Sequence, residues 1–125
     1  TQRLPYFQAL KTLQSADLLL VPGSDDPQYT ASKIYPYILS QKTIIAVFHQ
    51  SSSVVELLQQ TSAGFVQTFA DEAEDQPLAE NLYREWSKLL ITPKLDINWV
   101  AFQPHLALEK TRQQVAIFNQ VLASI

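Results

Sequence analysis

The sequence predicts an α/β protein built on a parallel three-stranded sheet with flanking helices. Three short apolar runs, at residues 17–22, 43–48 and 64–69, are separated by segments with helical spacing. Unbroken apolar runs are typical of strands covered on both faces, as in parallel sheets. Strands that alternate with helices indicate βαβ units, in which neighbouring strands run in the same direction. We therefore expect the three strands to lie side by side in sequence order.

Apolar side chains at helical spacing predict helices before, between and after these strands. Pro5 suits the first position of a helix, and Ser53 and Glu56 have the spacing of a capping box. The predicted helices cover residues 5–14, 32–41, 53–60, a segment that opens at Pro77, and 106–123, the last with an apolar stripe of Leu108, Val115, Phe118 and Leu122. Residues 92–104 contain two prolines and no clear period, so they are predicted to form a loop.

Length and composition limit the class of protein. With 125 residues and 46% apolar content, the chain is one domain, or a piece of one, that can bury a core. A net charge of −3 argues against a nucleic-acid surface, which needs clustered Lys and Arg. The absence of Cys excludes disulfides and fits a reducing compartment, so a cytoplasmic location is expected; no apolar run approaches a membrane span. Because the chain also lacks Met, we expect residues 1–125 to be a single truncated domain of a longer protein.

The loop after the first strand is the most informative segment. It carries Gly23 and leads into the helix that Ser32 and Lys33 open. Loops at the carboxyl ends of parallel strands are where open α/β sheets bind ligands. The free N–H groups of a helix start favour anions, above all phosphate, although an ordinary cap and a solvated lysine are the alternative. Asp25 and Asp26 are interpreted as turn formers, because two carboxylates would repel a diphosphate.

Other polar residues give weaker signals. His49 follows the second strand, where it is either a hydrogen-bonding surface residue or a contact to a ligand. With His49 and His105 as the two histidines and no cysteine, a metal site lacks ligands, and none is expected. Ser51–Ser53 have no identifiable base, so no catalytic residue is assigned.

Three stretches resemble the C-terminal end of a GT-B glycosyltransferase, of the retaining family that uses nucleotide-sugar donors. The letters ADLLLVPGS at 16–24 are similar to the family's strand end, ASKIYPYILSQKTIIA at 31–46 to its helix and strand, and AGF at 63–65 to the glycine before its next strand. The resemblance covers residues 5–70 in order. It implies that the sheet is half of a Rossmann-like domain, the nucleotide-sugar-binding domain at the C-terminal end of the enzyme.

The resemblance also implies site residues. In that family the loop and the helix start hold the donor's diphosphate, which here points to Tyr29, Thr30, Ala31, Ser32 and Lys33. Gln28 and Pro36 stand where the family carries two glutamates, and Gln28 can still hydrogen-bond a sugar hydroxyl. The whole enzyme would move a sugar from a nucleoside-diphosphate donor to an acceptor, without a further cofactor. Its implied partners are the donor and an N-terminal domain that is missing here, so this segment alone is expected to be inactive.

A degenerate α/β binding module, used for protein contacts or assembly, is the alternative. A binding module would leave an apolar patch exposed and the start of the Ser32 helix blocked, whereas a donor site would leave that start open to solvent. A receiver-type signalling domain fits less well, because no acceptor Asp ends the strand at 43–48 and no Lys ends the strand at 64–69.

Overall fold

The computed structural model describes residues 3–26, 29–71, 75–92 and 96–124. Its strands are β1 (Leu18–Pro22), β2 (Thr43–His49) and β3 (Gly64–Phe69). Its helices are α1 (Tyr6–Ser15), α2 (Ile34–Leu39), α3 (Ser53–Thr61), α4 (Asp75–Ile91), α5 (Trp99–Phe102) and α6 (Ala107–Ala123), with a 3₁₀ turn at Gln103–His105. The three strands pair in parallel in the order β1-β2-β3, which confirms the predicted α/β fold with its Rossmann-like half-sheet.

One face of the sheet and three helices enclose the hydrophobic core. Paired residues in a parallel ladder share a face, so Leu19 and Ile44 lie on one side and Leu20 and Ile45 on the other. The first side joins the core, to which α2 contributes Ile34 and Ile38, α3 contributes Val54, Val55, Leu57 and Leu58, and α5 contributes Phe102. The central strand β2 is buried along nearly its whole length, as its unbroken apolar run predicts.

The opposite face of the sheet is covered unevenly. Near β3 it packs against α4, whose Asn81 side-chain amide donates to the side-chain oxygen of Gln67. α4 begins at Asp75 with Pro77 in its first turn, close to the predicted start. Toward β1 this face is less well covered: Leu20 keeps 47% of its surface exposed. This face therefore retains apolar surface on the side of β1.

The first and last helices lie at the margins of the fold. No residue of α1 is buried, and Tyr6 and Phe7 are strongly exposed. α6 likewise buries no residue and contacts chiefly the 3₁₀ turn, so its predicted apolar stripe faces solvent. Among the described residues, no helix combines the length and apolar character needed to cross a membrane.

The predicted loop at residues 92–104 is wrong in its second half. Asn98 anchors this segment: its N–H donates to the Thr61 carbonyl at 2.8 Å, and its side-chain oxygen caps α5 by accepting from the Ala101 N–H at 3.1 Å. This helix and the following turn bring Phe102 into the core and His105 against Tyr35. A four-residue helix is too short to show a period in the sequence. The structure of residues 93–95 lies outside the described part.

The outer edge of β1 is expected to promote association between copies of this chain. Within the described residues β1 pairs with β2 alone, and α6 packs elsewhere instead of covering that edge. Because an unpaired edge strand is a template for another strand, we expect the chain to self-associate in sedimentation velocity as its concentration rises. Leu20→Lys should weaken this association, whereas Leu90→Lys, an exposed position on α4, should not. A chain that stays monomeric throughout would contradict the prediction.

Candidate functional site

The carboxyl edge of the sheet is formed by the ends of the strands and the loops that follow them. After β1, the Gly23 N–H donates to the Val47 carbonyl at 2.7 Å and extends the pairing with β2. A Cβ atom at Gly23 would lie 2.6 Å from both the Val47 carbonyl oxygen and Cδ1 of Phe48, so glycine permits this close approach. The Ser24 hydroxyl then accepts from the Asp26 N–H at 3.1 Å, in agreement with the turn predicted there.

Residues 29–33 carry the predicted diphosphate site. Tyr29 is partly exposed, and its carbonyl accepts from the Ser52 hydroxyl at 3.3 Å, which ties this loop to the start of α3. Ala31 is buried in the core at 6% exposure, so its side chain serves packing. Ser32 and Lys33 are exposed, and the start of α2 is therefore open to solvent. The structure does not describe Gln28.

The start of α2 differs from the prediction in one respect. The helix begins at Ile34, and its N-cap is Lys33, which makes no side-chain cap hydrogen bond. The helix was predicted to start at Ser32 or Lys33 with Ser32 able to cap it; it starts one residue after Lys33, and Ser32 as the cap is wrong. The physical reason is a tight turn: the Ser32 N–H donates to the Thr30 carbonyl at 3.1 Å and the Ile34 N–H to the Ala31 carbonyl at 2.9 Å. Pro36 lies in the first helical turn, where its missing N–H costs little, as predicted.

The start of α3 is capped one residue earlier than the sequence predicts. The Ser52 hydroxyl accepts from the Val54 N–H at 3.3 Å, so Ser53 and Glu56 do not form a capping box. Glu56 instead lies one turn into α3 and accepts from the Gln60 side-chain amide at 2.9 Å. Glu56 remains exposed to solvent.

A groove runs between α2 and α3 from the carboxyl edge toward the 3₁₀ turn, with a volume of about 240 Å³. We call it the α2–α3 groove; its polar lining consists of Thr30, Tyr35, Ser53, Glu56, Gln60 and His105. Its apolar lining comes from Ile34, Val54 and Leu57. Among the described lining residues Glu56 is the one carboxylate, and no Lys or Arg joins it. The groove therefore presents hydrogen-bonding groups above an apolar floor, with net negative character.

Two aromatic rings close one side of the α2–α3 groove. The rings of Tyr35 and His105 lie 5.5 Å apart at a tilt of 33°, and both rings also approach Phe102. Phe102 is buried in the core and contacts both rings, so it connects them to the core. The arrangement places two aromatic rings beside a carboxylate, which suits a ring-bearing ligand with hydroxyl groups.

His49 lies on the other face of the sheet, since it pairs with Phe69 and alternates with the core residue Phe48. Its side chain is almost fully buried. Nδ1 accepts from the Ser51 N–H at 3.2 Å, and Nε2 lies 3.3 Å from the exposed carboxylate of Asp71. The imidazole thus lies between the loop after β2 and the loop after β3, and the expectation that His49 is a solvent-exposed surface residue is wrong.

The structure separates the predicted site residues. Thr30 lines the α2–α3 groove, whereas the Lys33 side chain lines a second groove between α1 and α2. Tyr29 and Ser32 are exposed near the edge, Ala31 belongs to the core, and His49 lies on the opposite sheet face. In the described part of the chain, no group of three or more His, Asp or Glu side chains is placed to hold a metal ion.

Five of the groove's six polar residues were not predicted as site residues, namely Tyr35, Ser53, Glu56, Gln60 and His105. Glu56 and Gln60 are four apart on a helix that starts at the carboxyl edge, and this spacing is the signal that could have revealed them. Tyr35 was given no role from the sequence. His105 belongs to the 3₁₀ turn after α5, and it could not be placed because residues 92–104 directly before it were predicted to be a loop.

Comparisons with known proteins do not assign the chain to a family. The chain matches no protein-family model, and no significant match was found among curated proteins or among solved structures. The class that the fold defines is therefore an α/β domain with a Rossmann-like parallel half-sheet, and a groove with a polar lining lies at the carboxyl edge of this sheet.

Proposed function

We propose that the chain is the donor-binding part of a glycosyltransferase and binds a nucleoside-diphosphate sugar at the carboxyl edge of its sheet. The observation that carries the proposal is the α2–α3 groove, which opens beside the exposed start of α2. Ligands of open α/β sheets bind at this edge. The sequence resemblance to retaining GT-B enzymes supports the same class of ligand.

Charge decides how the donor would be oriented. Glu56 makes the α2–α3 groove unfavourable for phosphate, because like charges at short distance repel. The uncharged nucleoside therefore belongs in the groove, with its ribose hydroxyls on Glu56 and Gln60 and its base against Tyr35 and His105. The diphosphate then lies outside, over the loop at residues 29–33.

This orientation gives the chain a defined part in catalysis. Donors aimed at the diphosphate stabilise the negative charge that develops as it leaves, and such preorganised contacts are a strong catalytic lever. The Ser32 hydroxyl and the main-chain N–H groups of Ala31 and Lys33 are the donors proposed for this role, because the N–H groups of Tyr29 and Ser32 already donate within the loop. The acceptor site and the rest of the chemistry belong to the other part of the enzyme, so the chain by itself binds the donor without transferring the sugar.

A protein-binding module remains a second candidate because a specific observation favours it. Apolar side chains are exposed along α1 and α6, including Phe7 and Phe118. Large exposed apolar patches mark interaction surfaces. The open start of α2, however, is the feature expected of a donor site. Both features fit together if α1 and α6 contact another part of the enzyme and the carboxyl edge binds the donor.

Calorimetric titration of the chain with uridine, guanosine, adenosine and cytidine diphosphates tests the donor site. One of them is expected to bind, and Glu56→Gln should weaken it by about 1.5–3 kcal/mol, the usual contribution of a hydrogen bond to a charged group. Glu80→Gln is the matched control, because Glu80 also accepts from a glutamine four residues away but lies on α4. Equal affinities of the wild type and Glu56→Gln would show that the ribose does not bind to Glu56 in the α2–α3 groove.

Lys33→Ala tests the fifth predicted diphosphate residue in the same titration. If the ammonium reaches the diphosphate, the variant should lose on the order of 1–3 kcal/mol of binding free energy. Unchanged affinity would restrict the phosphate contacts to the main chain and to Ser32. If the wild type binds no nucleoside diphosphate, the donor proposal fails and the binding module becomes the leading candidate.

A further inference from the structure

The groove between α1 and α2 is larger and more apolar than the one at the carboxyl edge. We call it the α1–α2 groove; its volume is about 450 Å³, within the range of roughly 300–1,000 Å³ typical of ligand pockets. Leu4, Ala9, Leu10 and Leu13 line it from α1 and the segment before it. None of these four residues is buried, so the apolar space between α1 and α2 is not filled by side chains of the described residues.

Lys33 gives this apolar groove one positive charge. Lys33 and Tyr37 are four residues apart, lie on the same side of α2 and both line the groove. The Lys33 ammonium makes no ion pair or side-chain hydrogen bond with the described residues. No carboxylate is found among the described residues that line the groove.

The remaining polar groups of the groove are few. The Thr12 hydroxyl already donates a hydrogen bond to the Gln8 carbonyl at 2.9 Å. An extended polypeptide in this groove would bury main-chain N–H and C=O groups, which need partners that the apolar lining does not supply. An alkyl chain has no such requirement. Lys33 is a single point charge without the paired donors of an arginine, which suits a monoanionic head group better than a phosphate dianion.

We propose that the α1–α2 groove binds a single-chain amphiphile with a carboxylate head group, such as a medium-chain fatty acid. The chain lies against Leu10 and Leu13, and the carboxylate pairs with Lys33. This site lies on the other side of α2 from the α2–α3 groove and shares only Lys33 with the residues proposed for the donor, and it does not depend on the function proposed for the α2–α3 groove.

Equilibrium dialysis of the chain with octanoate and decanoate, below their micelle concentrations, tests the proposal. Affinity should rise about fourfold for each added methylene, which corresponds to about 0.8 kcal/mol per buried CH₂. Decanol, which has the same chain without the charge, should bind at least tenfold more weakly than decanoate. Failure of decanoate to bind, or equal affinity for decanol, would overturn the proposal.

Two pairs of variants localise the site. Lys33→Met should weaken decanoate at least tenfold and leave decanol unchanged, whereas Lys11→Met, which removes a charge from α1 outside the groove, should affect neither. Ala9→Phe should fill the groove and abolish binding, with exposed Gln8→Phe as its control and circular dichroism to show that both fold. Decanoate binding that survives Lys33→Met or Ala9→Phe would refute the assignment. Self-association that Ala9→Phe removes, without decanoate binding, would show an interface instead of a ligand site.

Discussion

Gly64→Ala is expected to destabilise the domain by about 3 kcal/mol, the upper end of the usual cost of overpacking. A Cβ atom on Gly64 would collide with the Ile44 carbonyl oxygen and lie 2.8 Å from the Ile44 carbonyl carbon and Cβ. These atoms belong to the central strand β2, and Ile44 itself is fully buried. Relief therefore requires a shift of the main chain, and no flexible side chain can move aside instead.

The size of this effect is measured by chemical denaturation followed by circular dichroism. Thr68→Ala is the control, because Thr68 is half-buried on the same strand and its change removes atoms without creating a collision. We expect it to cost far less than Gly64→Ala. A loss below about 1 kcal/mol for Gly64→Ala, the lower end for overpacking, would show that β2 and β3 can move apart easily.

The strands could be predicted closely because the sheet is covered on both sides of β2. An apolar run such as residues 43–48 has no other stable place than the interior, and turn-forming residues mark its ends. The parallel pairing could be predicted because a helix separates each strand from the next. These relations act over short stretches of chain, which is why they can be recognised without knowledge of the tertiary structure.

The candidate site was harder to predict because it depends on the rotation of a short helix. A shift of one residue in a helix start turns each side chain by about 100° around the axis. α2 has six residues and starts at Ile34, so Thr30 and Lys33 line grooves on opposite sides of it. The tight turn at residues 30–34 sets this rotation through main-chain hydrogen bonds, which leave little trace in the residue types.

The segment at residues 96–105 was missed for a different reason. Its position is set by long-range contacts, in particular the hydrogen bond from the Asn98 N–H to the Thr61 carbonyl. Asn98 as a cap and Phe102 as a buried anchor are visible only once α3 is in place. A local pattern with a proline at position 104 favours a loop, and tertiary packing overrides it.

Phe102→Ala should reveal how strongly this segment is joined to the core. Phe102 keeps 1% of its surface exposed and approaches the rings of Tyr35, Trp99 and His105 at 6.4, 6.0 and 6.0 Å. Removing a buried phenyl ring costs about 3–5 kcal/mol, from lost burial and from the cavity left behind. Because the domain is small, a loss of this size would remove much of its stability.

Val100→Ala is the matched control for Phe102→Ala, because Val100 lies on the same short helix with 80% of its surface exposed. It should change the free energy of unfolding by less than about 0.5 kcal/mol, as surface substitutions usually do. Phe102 also supports the Tyr35–His105 wall of the α2–α3 groove, so the alanine variant should weaken nucleoside-diphosphate binding under conditions where it remains folded. Denaturation and calorimetry together separate the two effects. If Phe102→Ala were as stable as Val100→Ala, α5 would not belong to the cooperative core, and the aromatic wall of the groove would lack the rigid support proposed for it.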